Sequence, residues 1–330
     1  MRIAVIGATG MIGHHTAATV LERGHELTVI HRASSNLDKL NDLTFQSAVA
    51  DLSDESALIA ALSQVDAVIN CAAPYPVEPI SWQDEVRRSL TAMDSFYSAC
   101  EQADLKKIVY LGGAIALQKR DDGSPADEHD EYQQAPSNKN PYLQAKWAMD
   151  NQAIQKAQQG LPVVIGIPSM SFGEFDYGPS TGQLLVGVAN QTLPGYVQGK
   201  RNVIYAGDAG LGLVLACEKG QAGERYLFTG TNISMDELVA IMSRICGKPK
   251  PKTLPLAVAK LVSKIQTFKY KRLKGDLPKV SDTAIAVMSS GQFLNGNKAR
   301  KELGFEATHS LDDTIAKAYT WFVDNGYIKH

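Results

Sequence analysis

No run of apolar residues in this chain of 330 approaches the ~20 that a helix needs to cross a bilayer, which disfavours a membrane protein. The N-terminal stretch Met1–Gly7 has an apolar run too short for a signal-peptide core and reads instead as a buried strand. Cysteine is scarce. Cys71, Cys100, Cys217 and Cys246 form no C-x-x-C pair and sit in apolar or helix-like contexts, so free thiols and a reducing, cytoplasmic location are expected. The histidines include the adjacent pair His14 and His15 but no i,i+4 ligand spacing, and no metal site is expected. Charge of one sign is also missing. Lysine plus arginine is 33 against 35 acids, a net charge of −2, which argues against a general nucleic-acid binder. Internal repeats are absent. The expected partner is a small-molecule substrate, with no nucleic acid and no membrane.

What is present is an ordinary globular composition, 44% hydrophobic and 21% charged, in a chain long enough for two domains of roughly 150 residues. Short Val- and Ile-rich runs without strict alternation occur at 3–6, 26–30, 44–49, 67–69, 108–111 and 163–167. Such runs are typical of parallel strands covered on both faces. Helix-like patterns lie between them near 11–23, 54–63, 82–103 and 141–159. This βαβ rhythm predicts a doubly wound α/β domain.

Residues 113–140 break the rhythm with a long polar stretch, of the kind usually functional or mobile. Beyond 168 the pattern is mixed, with a strand expected at 226–229 and a helix at 235–245 capped by Ser234. Residues 248–279 carry ten Lys or Arg and one acid, Asp276. A solvated helix face explains this; attraction of an anionic substrate or cofactor phosphate is the sharper alternative.

Gly7-Ala8-Thr9-Gly10-Met11-Ile12-Gly13 follows the first strand and opens the first helix. Gly7 suits the tight turn, Gly10 lets the backbone approach a pyrophosphate, and Gly13 lets the helix pack close to the sheet. The amides from Thr9 through Met11 and Ile12 then face the phosphates at a positive helix end. Strand–glycine loop–helix is the context that makes this motif a dinucleotide site. The second strand runs into His31 and Arg32 with no acid to receive the ribose 2′-OH of NAD. Arg32 is instead suited to the 2′-phosphate, so NADP is favoured over NAD.

Pro141-Tyr142-Leu143-Gln144-Ala145-Lys146 reads as a helix start, with Asn140 as cap and Pro141 at its first position. Tyr142 and Lys146 are i,i+4 and share a face. A tyrosine acid/base needs help because its free pKa is near 10, and a neighbouring ammonium lowers it.

The spacing G-x-x-G-x-x-G, with Y-x-x-x-K downstream, resembles the short-chain dehydrogenase/reductase superfamily. Gly160–Ile165, Pro168–Gly173, Gly178–Gly182, Gly223–Tyr226 and Lys298–Phe305 extend the likeness across nearly the whole chain. The chain looks like an extended member, of the NAD-dependent epimerase/dehydratase family that includes nucleoside-diphosphate-sugar epimerases and dihydroflavonol-4-reductase-like enzymes. The resemblance implies a Rossmann sheet with a smaller, discontinuous C-terminal substrate domain. Residues 1–167 would form the Rossmann part, 200–247 would return to it, and 168–199 with 248–330 would form the substrate domain. It implies that Asp51-Leu52 meets the adenine, that Cys71, Ala72 and Ala73 leave room for the adenosine ribose, and that Pro168, Ser169, Met170 and Ser171 lie beside the nicotinamide. It also implies a homodimer through the helices near 82–103 and 141–159.

The chain departs from the pattern in two places. Gly113 stands where the superfamily places a Ser or Thr that holds the reacting oxygen, and Ser89 stands at the usual Asn. Losing one such donor typically costs about 10²–10³ in rate. A Gly113 or Ala114 amide, a hydroxyl of Ser169 or Ser171, or water are the available substitutes. Three functions are therefore carried forward. The first is an NADP(H)-dependent oxidoreductase with Tyr142 as acid/base and Lys146 tuning it. The second is a sugar-nucleotide epimerase or dehydratase with tightly bound NAD, and the third a non-catalytic NADP-binding redox sensor.

Overall fold

The computed structural model describes residues 1–72, 79–273 and 291–329. Seven parallel strands form the main sheet: β1 (Arg2–Ile6), β2 (Glu26–His31), β3 (Gln46–Val49), β4 (Ala67–Asn70), β5 (Lys107–Leu111), β6 (Val163–Pro168) and β9 (Arg225–Phe228). Their order is β3-β2-β1-β4-β5-β6-β9. This is the doubly wound Rossmann arrangement, with its reversal of direction between β1 and β4.

Successive residues of β1 show why these strands do not alternate in polarity. Ala4 and Ile6 face one apolar layer, Ile3 and Val5 the other, and all four are buried. The first layer is closed by α2 (Glu55–Leu62), α3 (Trp82–Gln102) and α4 (Pro141–Gln158) through Leu58, Met93, Phe96 and Met149. The second is closed by α1 (Met11–Glu22) and α6 (Ala206–Lys219) through Ala17, Val20, Leu213 and Val214.

β6 ends at Pro168, and after Ser169 the chain enters β7 (Met170–Phe172), which belongs to a second sheet. There β8 (Lys200–Tyr205) lies between β7, parallel, and β10 (Thr231–Ser234), antiparallel. α5 (Gly182–Ala189), α7 (Met235–Cys246) and the helix Leu311–Asp324 pack on it around Phe172, Leu185, Met242 and Phe322. α7 starts with a reciprocal cap between Ser234 and Glu237. The stretch 200–247 thus divides: α6 and β9 build the main layers, whereas β8, β10 and α7 build the smaller unit. The helix Asn297–Leu303, far along the chain, packs back on the main sheet through Ala299 and Leu303.

Residues 113–140 form a pinned connection. Arg120 pairs with Asp127 at 2.8 Å and Asp130 at 2.7 Å. Glu128 accepts the Leu227 amide at 2.8 Å, and Glu131 accepts from Arg225 at 2.6 Å. The Ala126 amide donates to Phe293 O at 2.9 Å. Ion pairs and isolated loop hydrogen bonds of this kind, several of them made to residues far along the chain, leave no periodic pattern in the sequence.

Candidate functional site

Because the main strands are parallel, their carboxyl ends share one edge, where ligands bind in doubly wound sheets. That edge carries Gly7 after β1, Asp51 and Leu52 after β3, Cys71 and Ala72 after β4, Gly112 and Gly113 after β5, and Ser169 after β6. Ala73, expected beside the adenosine ribose, lies outside the described residues.

At the glycine loop Gly7 has φ +84°, and a Cβ there would press on Ala72 and Cys71 at 3.0–3.1 Å. A Cβ on Gly13 would fall 2.1 Å from the Gly7 carbonyl oxygen, so only glycine permits helix and loop to approach this closely. Gly10, whose amide donates to Gly7 O at 3.1 Å, is exposed and caps α1 without any side chain. The first amides of α1, from Met11 and Ile12 onward, have no side-chain cap, and Thr9 is half-buried beside them. This cradle of uncovered donors and closely packed glycines fits a dinucleotide pyrophosphate.

At the end of β2 the His31 ring is committed: Nε2 meets Ser47 Oγ at 2.7 Å and Nδ1 meets Arg32 O at 3.0 Å. Arg32 is exposed. Asp51 turns one carboxylate oxygen onto the Ser53 amide and hydroxyl at 2.9 and 2.6 Å, and these bonds hold its pKa down. Arg32 adds a smaller electrostatic pull on Asp51. Leu52 is half-buried against the first apolar layer. After β4, buried Asn70 accepts the Ala72 amide at 2.9 Å, and the Cys71 thiol, pushed up to about 12 by burial, donates to Thr16 Oγ1 at 3.8 Å.

α4 begins as its sequence dictates. Asn140 Oδ1 accepts the amides of Tyr142 at 3.0 Å and Leu143 at 3.2 Å, and Pro141 occupies the first helical position. Tyr142 is half-buried. One turn on, Lys146 is buried, and its Nζ donates to Leu111 O at 3.3 Å, at the end of β5. A further turn on stands Asp150, also buried. Burial pushes the Asp150 carboxyl up to about 6, opposed by the charges of Arg225 and Lys146. Burial lowers the pKa of Lys146, and the Asp150 charge opposes that. Arg225 reaches Asp150 at 3.8 Å and bonds Glu131 on its other side. Asp150 and Arg225 were not singled out in the sequence. The available signal was an acid at i+4 after Lys146 in a helix whose neighbouring positions are buried.

Gly113 meets Lys146 directly: a Cβ there would lie 3.4 Å from Lys146 Cδ. Of the substitute hydroxyls, Ser171 is committed to Ser169 O at 3.0 Å, while buried Ser169 Oγ has no hydrogen-bond partner. Ser89, at the usual Asn position, is buried in α3 with its hydroxyl also unpartnered. Pro168 is buried at the end of β6 and Met170 half-buried at the start of β7. Phe172, Phe175 and Tyr177, three aromatic residues that follow β6, pack against the protein's own side chains. Phe172 is in the smaller core, Phe175 stacks on His14 at 3.5 Å, and Tyr177 abuts Trp321.

A glycine-cradled helix end at the sheet reversal, with a tyrosine and a buried lysine on one helix face at the same edge, defines a dinucleotide-dependent enzyme. Residues 3–228 match the NAD dependent epimerase/dehydratase family, and the chain belongs to that family. It is an NAD(P)-dependent enzyme. It is similar to a crystallised nucleoside-diphosphate-sugar epimerase from Pseudomonas aeruginosa, with 40% identity and a TM-score of 0.87 over 100% of this chain and 99% of that one. A Synechocystis protein described as a dihydroflavonol 4-reductase is 29% identical over 98% of this chain and 95% of its own. The UDP-glucose 4-epimerase of Bacillus subtilis is 26% identical over 98% of both.

Proposed function

We propose that this protein is an NADP(H)-dependent oxidoreductase acting on a carbonyl or secondary alcohol. The dinucleotide would be held by Gly7, Thr9, Gly10, Met11, Ile12 and Gly13 at the pyrophosphate and by Arg32 at the 2′-phosphate. Asp51 and Leu52 would lie at the adenine, Cys71 and Ala72 near the adenosine ribose, and Pro168 to Ser171 near the nicotinamide. When bound, the nicotinamide supplies or accepts hydride at the substrate carbon. Tyr142 holds or takes the proton at the substrate oxygen, and the Lys146 ammonium stabilises its phenolate. Ser169, a buried hydroxyl with no partner at the end of β6, replaces the hydroxyl lost at Gly113.

The observation that carries this reading over epimerisation is the end of β2. His31 is spent on Ser47 and Arg32, no carboxylate is offered there to a ribose diol, and Arg32 is exposed. The test is to purify the protein, identify any dinucleotide it retains, and offer NADPH and NADH with a panel of ketones. Consumption of free NADPH is expected, with Arg32→Ala weakening NADPH about tenfold and sparing NADH. Tightly retained NAD with no NADPH consumption would establish the epimerase reading instead, which the 40% identity to a nucleoside-diphosphate-sugar epimerase favours.

A further inference from the structure

Helix α8 (Leu256–Leu273) is amphipathic in the reverse sense. It rests on the body of the protein through Leu256 and buried Ala259, which meet Val197, and through buried Ser263. At 100° per residue the positions 258, 261, 262, 265 and 268 fall on the opposite side. They hold Val258, Leu261, Val262, Ile265 and Phe268, exposed by 45, 59, 36, 48 and 60%. Scattered apolar residues on a surface need no explanation, but here five of the seven exposed large hydrophobics among the described residues line one helix.

The charge around the stripe is one-sided. The helix sequence contains five Lys or Arg and no acid, and Lys260, Lys264, Lys269 and Arg272 are exposed. Lys252, just upstream, is exposed as well. At 100° per residue Lys260 and Lys264 lie to one side of the stripe, and Lys269 and Arg272 share its side near the helix end. An outward apolar stripe with such cations fits one kind of surface, a bilayer with anionic headgroups. The apolar side chains enter the acyl boundary, and the long Lys and Arg stems reach back to the phosphates. A second copy of α8 fits poorly, because pairing two such helices would crowd ten cations with no carboxylate between them. A nucleic acid would satisfy the cations and leave the stripe in water.

We propose that α8 docks the protein on the surface of an anionic phospholipid membrane. No helix among the described residues is long and apolar enough to cross a membrane. The expectation of no membrane partner rested on the same feature, which concerns spanning and not attachment in the interface plane. The proposal does not depend on which reaction the enzyme performs.

The experiment is co-sedimentation of the full chain with vesicles of phosphatidylcholine alone and of equal parts phosphatidylcholine and phosphatidylglycerol. Binding to the anionic vesicles only is expected, falling as salt rises from about 0.1 M to about 1 M and the Debye length drops from about 10 Å to about 3 Å. The triple variant Leu261→Gln, Ile265→Gln, Phe268→Gln removes exposed side chains without touching the packed face. It should bind the anionic vesicles at least about tenfold more weakly with an unchanged circular dichroism spectrum and melting temperature. Lys260→Gln with Lys264→Gln should weaken binding by about fivefold per residue. No binding to anionic vesicles, equal binding to neutral ones, or full binding by the triple variant would each overturn the proposal. So would a concentration-dependent dimer that the triple variant abolishes, since the stripe would then be covered by a second copy.

Discussion

A Cβ built on Gly113 stands 3.4 Å from Lys146 Cδ and 3.5 Å from its Cε. Those are ordinary contact distances, and they are made with a lysine stem, so a serine fits where the family usually has one. Gly113→Ser is therefore expected to fold with stability within about 0.5 kcal/mol of the parent. Under the oxidoreductase reading, Ser169→Ala should cost about 10²-fold in kcat, and adding Gly113→Ser to it should recover most of that loss. Steady-state kinetics of the two single variants and the double variant check this. An inert Ser169→Ala would leave the replacement hydroxyl unassigned.

Asp150 acts on Lys146 through charge rather than through substrate. Its carboxylate opposes the burial that pulls the Lys146 ammonium toward deprotonation. Asp150→Asn removes that opposition, so Lys146 should lose its proton at lower pH. The alkaline limb of the kcat/KM profile should move to lower pH, while activity on the acid side of that limb is largely kept. A pH–rate series on parent and variant measures the direction, and an unmoved limb would reduce Asp150 to packing.

The glycine loop separates fold from cofactor binding. Gly13→Ala places a methyl 2.1 Å from the Gly7 oxygen and should destabilise the protein by about 1–3 kcal/mol as the helix is pushed from the loop. Gly10→Ala meets nothing closer than 3.5 Å and should leave the melting temperature unchanged. It should nonetheless weaken dinucleotide binding, because the methyl stands where the pyrophosphate must approach. Denaturant titration together with fluorescence titration of NADPH distinguishes the two.

His15 gives the fold an acid sensitivity. It is buried beside Glu174 at 3.7 Å, with Tyr205 and Phe175 across it and Lys317 nearby, and burial lowers its pKa from 6.5 to about 4. Between those values the unfolded chain binds a proton that the folded chain refuses, so stability falls as pH drops through that window. His15→Gln removes this loss. The variant should gain on the parent as pH falls from 6.5 to about 4, by on the order of 2–3 kcal/mol at the lower end. Urea unfolding at a series of pH values checks the difference, and a constant offset would count against it.

Much was determined by sequence alone, because the physics there is local. Val- and Ile-rich runs define buried parallel strands whatever lies beyond them; the expected coverage on both faces fails only for β3, which lies at the sheet edge with Gln46, Ser47 and Val49 exposed. Gly7, Gly10 and Gly13 state a turn and a close approach within one loop, and Asn140-Pro141 states where α4 starts. Tyr142 and Lys146 share a face by helical period. Tertiary structure decided what depends on residues far apart in the chain. Strand β8, near residue 200, pairs with β7 on one side and with β10, near residue 230, on the other, and this second sheet leaves the stretch 200–247 divided between the two sheets. Arg225 meets Asp150 across 75 positions, and only the pairing of β6 with β9 brings it there. The basic region after residue 248 likewise read as a charge pattern. Which side of α8 faces water is settled by the packing of Leu256, Ala259 and Ser263, and that packing leaves its apolar side outward.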